Sequence, residues 1–423
     1  MANGGCTDTV SRHSGALGKR ATRWLGGITR LWRTVRLQVW LSIFFLLALE
    51  LLARGYVRIS ALFENDEDPR AYADGYHHAK WTHGFFREYN DSAVRWSPYV
   101  YWVGAEYKGQ YVNINSSGIR RTWHRPEPAD YRCGHRARIF MFGGSTMWGV
   151  GARDGYTIPS WLQRMLSERH ACGEVTNFGQ DGYVSTQEVL TLANLLRAGD
   201  VPDIVVFYDG YNDTLTAAIN REPGLTYDEY SRRLEFNTNN FFRPVHERVL
   251  IKQLLWRISM SSGLGQIASR TVARMAPESY MIIEGTLVQR GGTRAEAGDD
   301  KQLEAAAAQY YLANVRTVEA MARQFGFRAL FYWQPCIIDK KHLTAYEQEQ
   351  AKAIPRFWRS FIVGVHQKVG QAAQSNNIHD ISSLFADTTE PYFIDQAHVT
   401  EDGNRIIAKQ MLDEVVKTLA KRK

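Results

Sequence analysis

The chain has 423 residues, 44% hydrophobic and 22% charged, enough for one large domain with additions around a sizeable core. Its net charge of +7 is unevenly spread. Residues 1–36 hold Arg12, Lys19, Arg20, Arg23, Arg30, Arg33 and Arg36 against Asp8 alone, so nearly all the excess sits in an N-terminal tail. The remaining chain carries about +1, which argues against a nucleic-acid-binding main domain, since that would carry its own basic face.

Residues 37–53 follow, 17 almost wholly apolar positions at the short limit for a membrane helix. The run is too long and too far from the start for a typical cleaved signal peptide, and no clear A-x-A site follows it. The basic flank predicts a transmembrane signal-anchor over 37–54, with residues 1–36 a cytoplasmic tail. Everything after Arg54 is then expected outside the cytoplasm, in the periplasm if the source is bacterial.

Residues 55–135 form an aromatic-rich accessory or linker region with Trp81, Phe85, Phe86, Trp96, Tyr99, Tyr101, Trp102, Tyr107, Tyr111 and Trp123. Short strands are expected over 99–103 and 109–114. Such aromatics can stack on sugars, but core or interface packing is the commoner use.

From residue 136 strands and helices alternate, the pattern of a parallel sheet. Strands are expected over 137–142, 174–178, 204–208, 328–333 and 378–381. Helices are expected over 160–169, from a capping box at Ser185-Thr-Gln-Glu188 to Gly199, and over 301–325. Another runs over 344–373 with a break at Pro355. The last begins near Thr400 and packs through Ile407, Met411, Val415 and Leu419. Residues 214–300 interrupt the alternation and read as a mostly helical insertion, a lid or a peripheral decoration. It carries an apolar stripe at Leu250, Ile251, Leu254, Leu255 and Ile258 and a glycine-rich return over 291–298.

Four cysteines are present. Cys133 and Cys172 precede the first two sheet strands, at the same end, so a disulfide between them is geometrically reasonable in an oxidising compartment. Two free buried thiols are the alternative.

Four short blocks carry chemistry. Phe142-Gly143-Gly144-Ser145 ends the first strand; two glycines permit a sharp turn there, presenting a serine at the strand's carboxyl end. Asn177-Phe178-Gly179-Gln180-Asp181-Gly182 follows the second strand and Asp209-Gly210-Tyr211-Asn212-Asp213 the third. Asp395-Gln396-Ala397-His398 precedes the last helix. Each alone is a common turn sequence. In this order they resemble the SGNH/GDSL esterases and lipases, over about residues 136–420 without the insertion. The resemblance implies a flavodoxin-like three-layer α/β/α sandwich with a mainly parallel five-stranded sheet. It implies a triad of Ser145, Asp395 and His398, and an oxyanion hole of Ser145, Gly182 and Asn212. Gly143-Gly144-Ser145-Thr146 stands where the family has Gly-Asp-Ser-Leu. Gly179 competes with Gly182. Asp339-Lys340-Lys341-His342 is a second Asp-x-x-His, but the lysines beside His342 point to a solvated loop.

The residue types fit the chemistry. A serine hydroxyl needs an adjacent base, which an imidazole supplies near neutral pH. A carboxylate three residues away can fix its tautomer, and backbone N–H groups with an amide side chain can hold the oxyanion. An acyl-serine would pass its acyl group to water, as an esterase, or to a sugar hydroxyl, as an O-acyltransferase. The expected substrate is an acylated glycan or lipid of the cell envelope, with O-acetyl the expected ester and envelope polysaccharide machinery the expected company. An inert scaffold or glycan-binding subunit is the third reading. No His-Glu-x-x-His, paired Cys-x-x-Cys or phosphate-binding glycine loop is present, so no metal or cofactor is expected.

Overall fold

The structure, a computed structural model, describes residues 11–63, 67–124, 135–227, 261–275, 280–283, 286–289 and 297–421, with a few positions between 228 and 236. The chain forms two compact units, residues 1–66 with 246–288 and residues 67–245 with 289–423.

In the first unit a single helix runs Ser11–Phe63. Its segment Val35–Ser60, 26 residues, is long and apolar enough to cross a membrane. It is not a core helix: Leu37, Trp40, Phe44, Phe45, Leu51 and Leu52 are each 60–71% exposed. The apolar stretch exceeds the expected 17 residues because the helix continues past Arg54, with exposed Tyr56 and Ile59 extending it. Glu50, the one acid within it, accepts from the backbone N–H groups of Gly263 (2.7 Å) and Leu264 (3.2 Å). It thereby caps the helix Gly263–Met275 of the same unit, where a carboxylate complements the first-turn donors. The expected stripe from Leu250 to Ile258 and the return over 291–296 lie outside the described residues.

The second unit begins with α1 (Trp81–Asp91) and two small hairpins: β1 (Val94–Ser97) with β2 (Tyr101–Gly104), and β3 (Tyr107–Lys108) with β4 (Asn113–Ile114). The sequence shows only the second arm of the first hairpin, because the exposed Val94-Arg-Trp-Ser97 has no buried face. Phe85 and Phe86 are fully buried, and with Tyr76, Val112 and Ile114 they join Trp148, Val150 and Ile394 in one apolar cluster. The aromatics of this region are therefore partly core, while Trp96 and Tyr99 are exposed. Arg120 is wholly buried beneath them. It donates to Asp154 Oδ1 (3.1 Å) and to the carbonyls of Trp148, Gly149 and Ala152 at 2.6–3.0 Å. A buried guanidinium is tolerated because so many of its donors are met.

The sheet follows: β5 (Ala137–Gly143), α2 (Ser145–Trp148), α3 (Ile158–Glu168), β6 (Gly173–Asn177), α4 (Ser185–Arg197), β7 (Ile204–Asp209) and α5 (Tyr211–Asn220). After the insertion come α6 (Ala297–Phe325), β8 (Arg328–Trp333), α7 (Ala345–Lys352), α8 (Arg356–Ala373), β9 (Ile378–Asp380) and α9 (Glu401–Ala420). Thr344 and Thr400 cap α7 and α9 with their hydroxyls, as side chains of that type do. Ser185 does not cap α4: its N–H and hydroxyl go to Asp213, and Gln187 Oε1 accepts from Val184 N instead. Glu188, expected to close that capping box, is buried against other acids.

The five strands pair in the order β9-β8-β7-β5-β6, all parallel. This is the flavodoxin-like order, with helices covering both faces as buried parallel strands require. α3 packs with α9 and β6, and α6 packs with α4, α5 and α8. Register aligns Phe142, Phe207 and Phe331 across three strands, and their rings stack at 5.0 and 5.6 Å. Burying each ring contributes about 1.5–3 kcal/mol, so this ladder fixes the strand ends that carry the site. Cys172, just before β6, is disulfide-bonded. Its expected partner Cys133 lies outside the described residues. Cys336 is a free, buried thiol.

Candidate active site

The strand order reverses between β5 and β7, and the crevice beyond a parallel sheet opens at such a point. Ser145 follows β5 and Asn212 follows β7, so the two blocks meet there. Gly143 and Gly144 both have ordinary negative φ, with Gly144 at −76°. The glycines are thus required by close approach rather than by an unusual turn. A Cβ on Gly144 would lie 2.3 Å from Asn212 Nδ2, and one on Gly143 would lie 2.6 Å from Met147 Cβ.

Ser145 opens α2, so its own N–H has no acceptor within that helix. Its hydroxyl oxygen lies 2.7 Å from His398 Nε2. The other ring nitrogen, Nδ1, lies 2.7 Å from Asp395 Oδ2. The Asp395–His398 turn is closed by the Phe393–Val399 bridge and by Ile394 N–H donating to His398 O (3.0 Å). Asp395 Oδ1 accepts from the N–H groups of Ala397 (3.0 Å) and His398 (2.8 Å), locking its rotamer. Burial would raise the Asp395 pKa, but His398, Arg70 and the backbone donors outweigh it and hold the group well below the usual carboxylate range.

Asn212 Nδ2 donates to Tyr183 O (2.8 Å), and its Oδ1 accepts from Tyr227 OH (3.1 Å). One amide hydrogen remains for a ligand beside Ser145. Gly182 is left-handed, with φ +71°, and its N–H meets no acceptor among the described residues. A Cβ there would contact Trp102 and Tyr227 at 3.6 Å, so both rings flank it. Gly179, by contrast, donates its N–H to Asn177 Oδ1 (2.9 Å).

The second Asp-x-x-His goes elsewhere. Asp339 accepts from Cys336 N, and His342 is exposed. The loop is not wholly solvated, however: Lys340 is buried, and its ammonium donates to both Glu347 oxygens (2.8 and 2.7 Å).

Two features escaped the sequence. Arg70 donates through NH1 to Asp395 Oδ2 (3.5 Å) and is itself held by Asp68, whose carboxylate accepts at 2.7–3.0 Å. It lies 325 positions from Asp395, in a stretch without a motif. Buried Glu188 and Asp209 and half-buried Asp213, next to Asn212 in the chain, form an acidic group. Asp213 accepts from Ser185 N (3.1 Å) and Oγ (2.5 Å), and burial pushes it up to about 6. Burial, then the neighbouring acids, push Glu188 and Asp209 well above their ordinary values.

No family model matches the sequence, and no curated protein does. Among solved structures, the chain is similar to an acetyl xylan esterase at 16% identity and TM-score 0.34, over 66% of this chain and 99% of that one. It is also similar to a carbohydrate acetylesterase family member from Sinorhizobium meliloti, at 14% identity and TM-score 0.36 over 67% and 99%. A lipolytic protein of the G-D-S-L family from Veillonella parvula DSM 2008 aligns at 13% identity and TM-score 0.34 over 65% and 96%.

Proposed function

We propose that the chain is a serine esterase of the SGNH/GDSL type that hydrolyses an acyl ester through an acyl-serine intermediate. The observation that carries this reading is the unbroken line from Ser145 Oγ through His398 to Asp395, with 2.7 Å at each step. A ready nucleophile, a base and a tautomer-fixing carboxylate are what ester cleavage needs.

In the reaction His398 Nε2 takes the proton as Ser145 Oγ attacks the ester carbon. The carbonyl oxygen, now an oxyanion, is held by the N–H groups of Ser145 and Gly182 and by Asn212 Nδ2. His398 returns the proton to the leaving alcohol. Water, deprotonated by the same imidazole, then releases the acid and restores Ser145. Asp395 stays ionised throughout and stabilises the imidazolium. The proposed substrate is an O-acetylated glycan or lipid of the cell envelope, reached by a domain tethered outside the cytoplasm through Val35–Ser60. The exposed apolar helix and the basic residues before it support that topology. Trp102 and Tyr227 beside Gly182 are suited to lie against a sugar ring.

The test is hydrolysis of acetylated glycans and of p-nitrophenyl esters of increasing chain length, with product masses read with and without an acceptor sugar. Acetate release that disappears in Ser145→Ala supports the esterase. Acetyl appearing on the added sugar would make the enzyme an O-acyltransferase with the same triad. No acyl release from any ester by folded wild-type protein would overturn the reading.

A further inference from the structure

We propose that Cys336, Asp339 and His366 form a binding site for a divalent transition-metal ion of the zinc class. The Cys336 Sγ, an Asp339 carboxylate oxygen and a His366 ring nitrogen all lie within 4.8 Å of one another. Cys336 is a free thiol with no exposed surface. His366 projects from α8 and is 7% exposed, yet neither of its ring nitrogens has a hydrogen-bond partner. Its Nδ1 is 3.5 Å from Asp339 Oδ2 without hydrogen-bond geometry. Buried imidazoles are ordinarily satisfied, so an unpartnered one beside a carboxylate and a thiol is free to bind a metal ion together with them.

The donor set selects the ion. Sulfur, imidazole nitrogen and carboxylate oxygen together suit zinc, whereas calcium and magnesium take oxygen donors. With bonds of about 2.0–2.3 Å, tetrahedral donors sit roughly 3.3–3.8 Å apart. The His366 Nδ1–Asp339 Oδ2 distance of 3.5 Å already has that spacing, and the thiol, within 4.8 Å of both partners, closes onto an ion with a movement of at most about 1 Å. Binding releases the Cys336 proton to solvent and changes no oxidation state. The Asp339 side chain is 24% exposed, which gives the ion an entry edge and leaves a fourth position for water.

The location gives the ion a role. Cys336 lies just past β8, and the next residue, Ile337, donates its N–H to Gln396 O (3.0 Å), inside the turn that carries Asp395 and His398. An ion at this point ties α8 to the base of that turn. The ligands escape a search for compact motifs because the third is 27 positions beyond the second.

Full-length protein in detergent, carrying Cys6→Ser and stripped with chelator, is titrated with Co²⁺ and then Zn²⁺. The expected result is one Co²⁺ per chain with a thiolate-to-cobalt charge-transfer band in the near ultraviolet, displaced by Zn²⁺, and a rise in Tm with either ion. Cys336→Ser should abolish the band, and His366→Ala should weaken binding by about tenfold or more. The proposal is overturned by wild-type protein that takes up no stoichiometric cobalt or shows no thiolate band, or by a band that persists in Cys336→Ser. The wild-type spectrum decides the matter even if a variant does not fold.

Discussion

His398 Nε2 lies 2.7 Å from Ser145 Oγ although the two residues are 253 positions apart. The sheet brings the serine to the crevice, and the closed turn before α9 brings the histidine. His398→Ala should therefore remove p-nitrophenyl acetate hydrolysis by on the order of 10³-fold or more in kcat. His342→Ala, at an exposed position outside the triad, should retain activity within about twofold. Initial rates on the two purified variants separate these outcomes, and the reverse ranking would refute the assignment.

Asn212 is predicted to act on the transition state rather than on binding. Asn212→Ala should lower kcat by about 10²–10³ with little change in KM. Gly144→Ala should approach the same loss without touching Asn212, because the new methyl would occupy space 2.3 Å from Asn212 Nδ2 and push the amide away. Steady-state kinetics on both variants check this; an unimpaired Gly144→Ala would mean that the amide position is not critical.

Arg70 is a positioning residue acting through Asp395. Arg70→Gln removes one of the groups that hold the Asp395 carboxyl below the usual carboxylate range. The acid limb of the kcat/KM profile should move to higher pH, with Asp68 left unpaired. A purely structural role would lower activity equally at every pH.

Much of this arrangement was legible from residue order. The 328–333 strand is found at its expected bounds, because Arg-Ala-Leu-Phe-Tyr-Trp is an apolar run between a helix-ending glycine and a polar loop. The blocks holding Ser145, Asn212 and the Asp395–His398 pair could be picked out because each sits just past a strand or just before a capped helix. Other features depend on proximity that local pattern does not encode. Arg70 meets Asp395 only through the fold, and Glu188 reads as a capping residue until α4 turns it toward Asp209. The first hairpin was half visible because β1 is exposed and has no alternation to read.

The acidic group of Glu188, Asp209 and Asp213 should make stability fall as pH rises. Asp213 is raised to about 6 in the folded protein, so the unfolded chain sheds that proton first. The stability it contributes is complete below its unfolded value near pH 4 and is lost as pH rises through about 6. Glu188 and Asp209 extend the loss to higher pH, since both are also raised. Glu188→Gln should flatten the dependence of Tm on pH between about 5 and 8 and raise Tm at the upper end. Parallel Tm curves for variant and wild type would remove the acidic group as the cause.

Ser145, held 2.7 Å from the His398 imidazole, should react as an activated nucleophile. Labelling of the full-length folded protein with a fluorophosphonate, read by intact mass and peptide mapping, tests this. One adduct per chain is expected, on Ser145, absent from Ser145→Ala and strongly slowed in His398→Ala. Folded wild-type protein that takes up no label, or label that persists in Ser145→Ala, would contradict it.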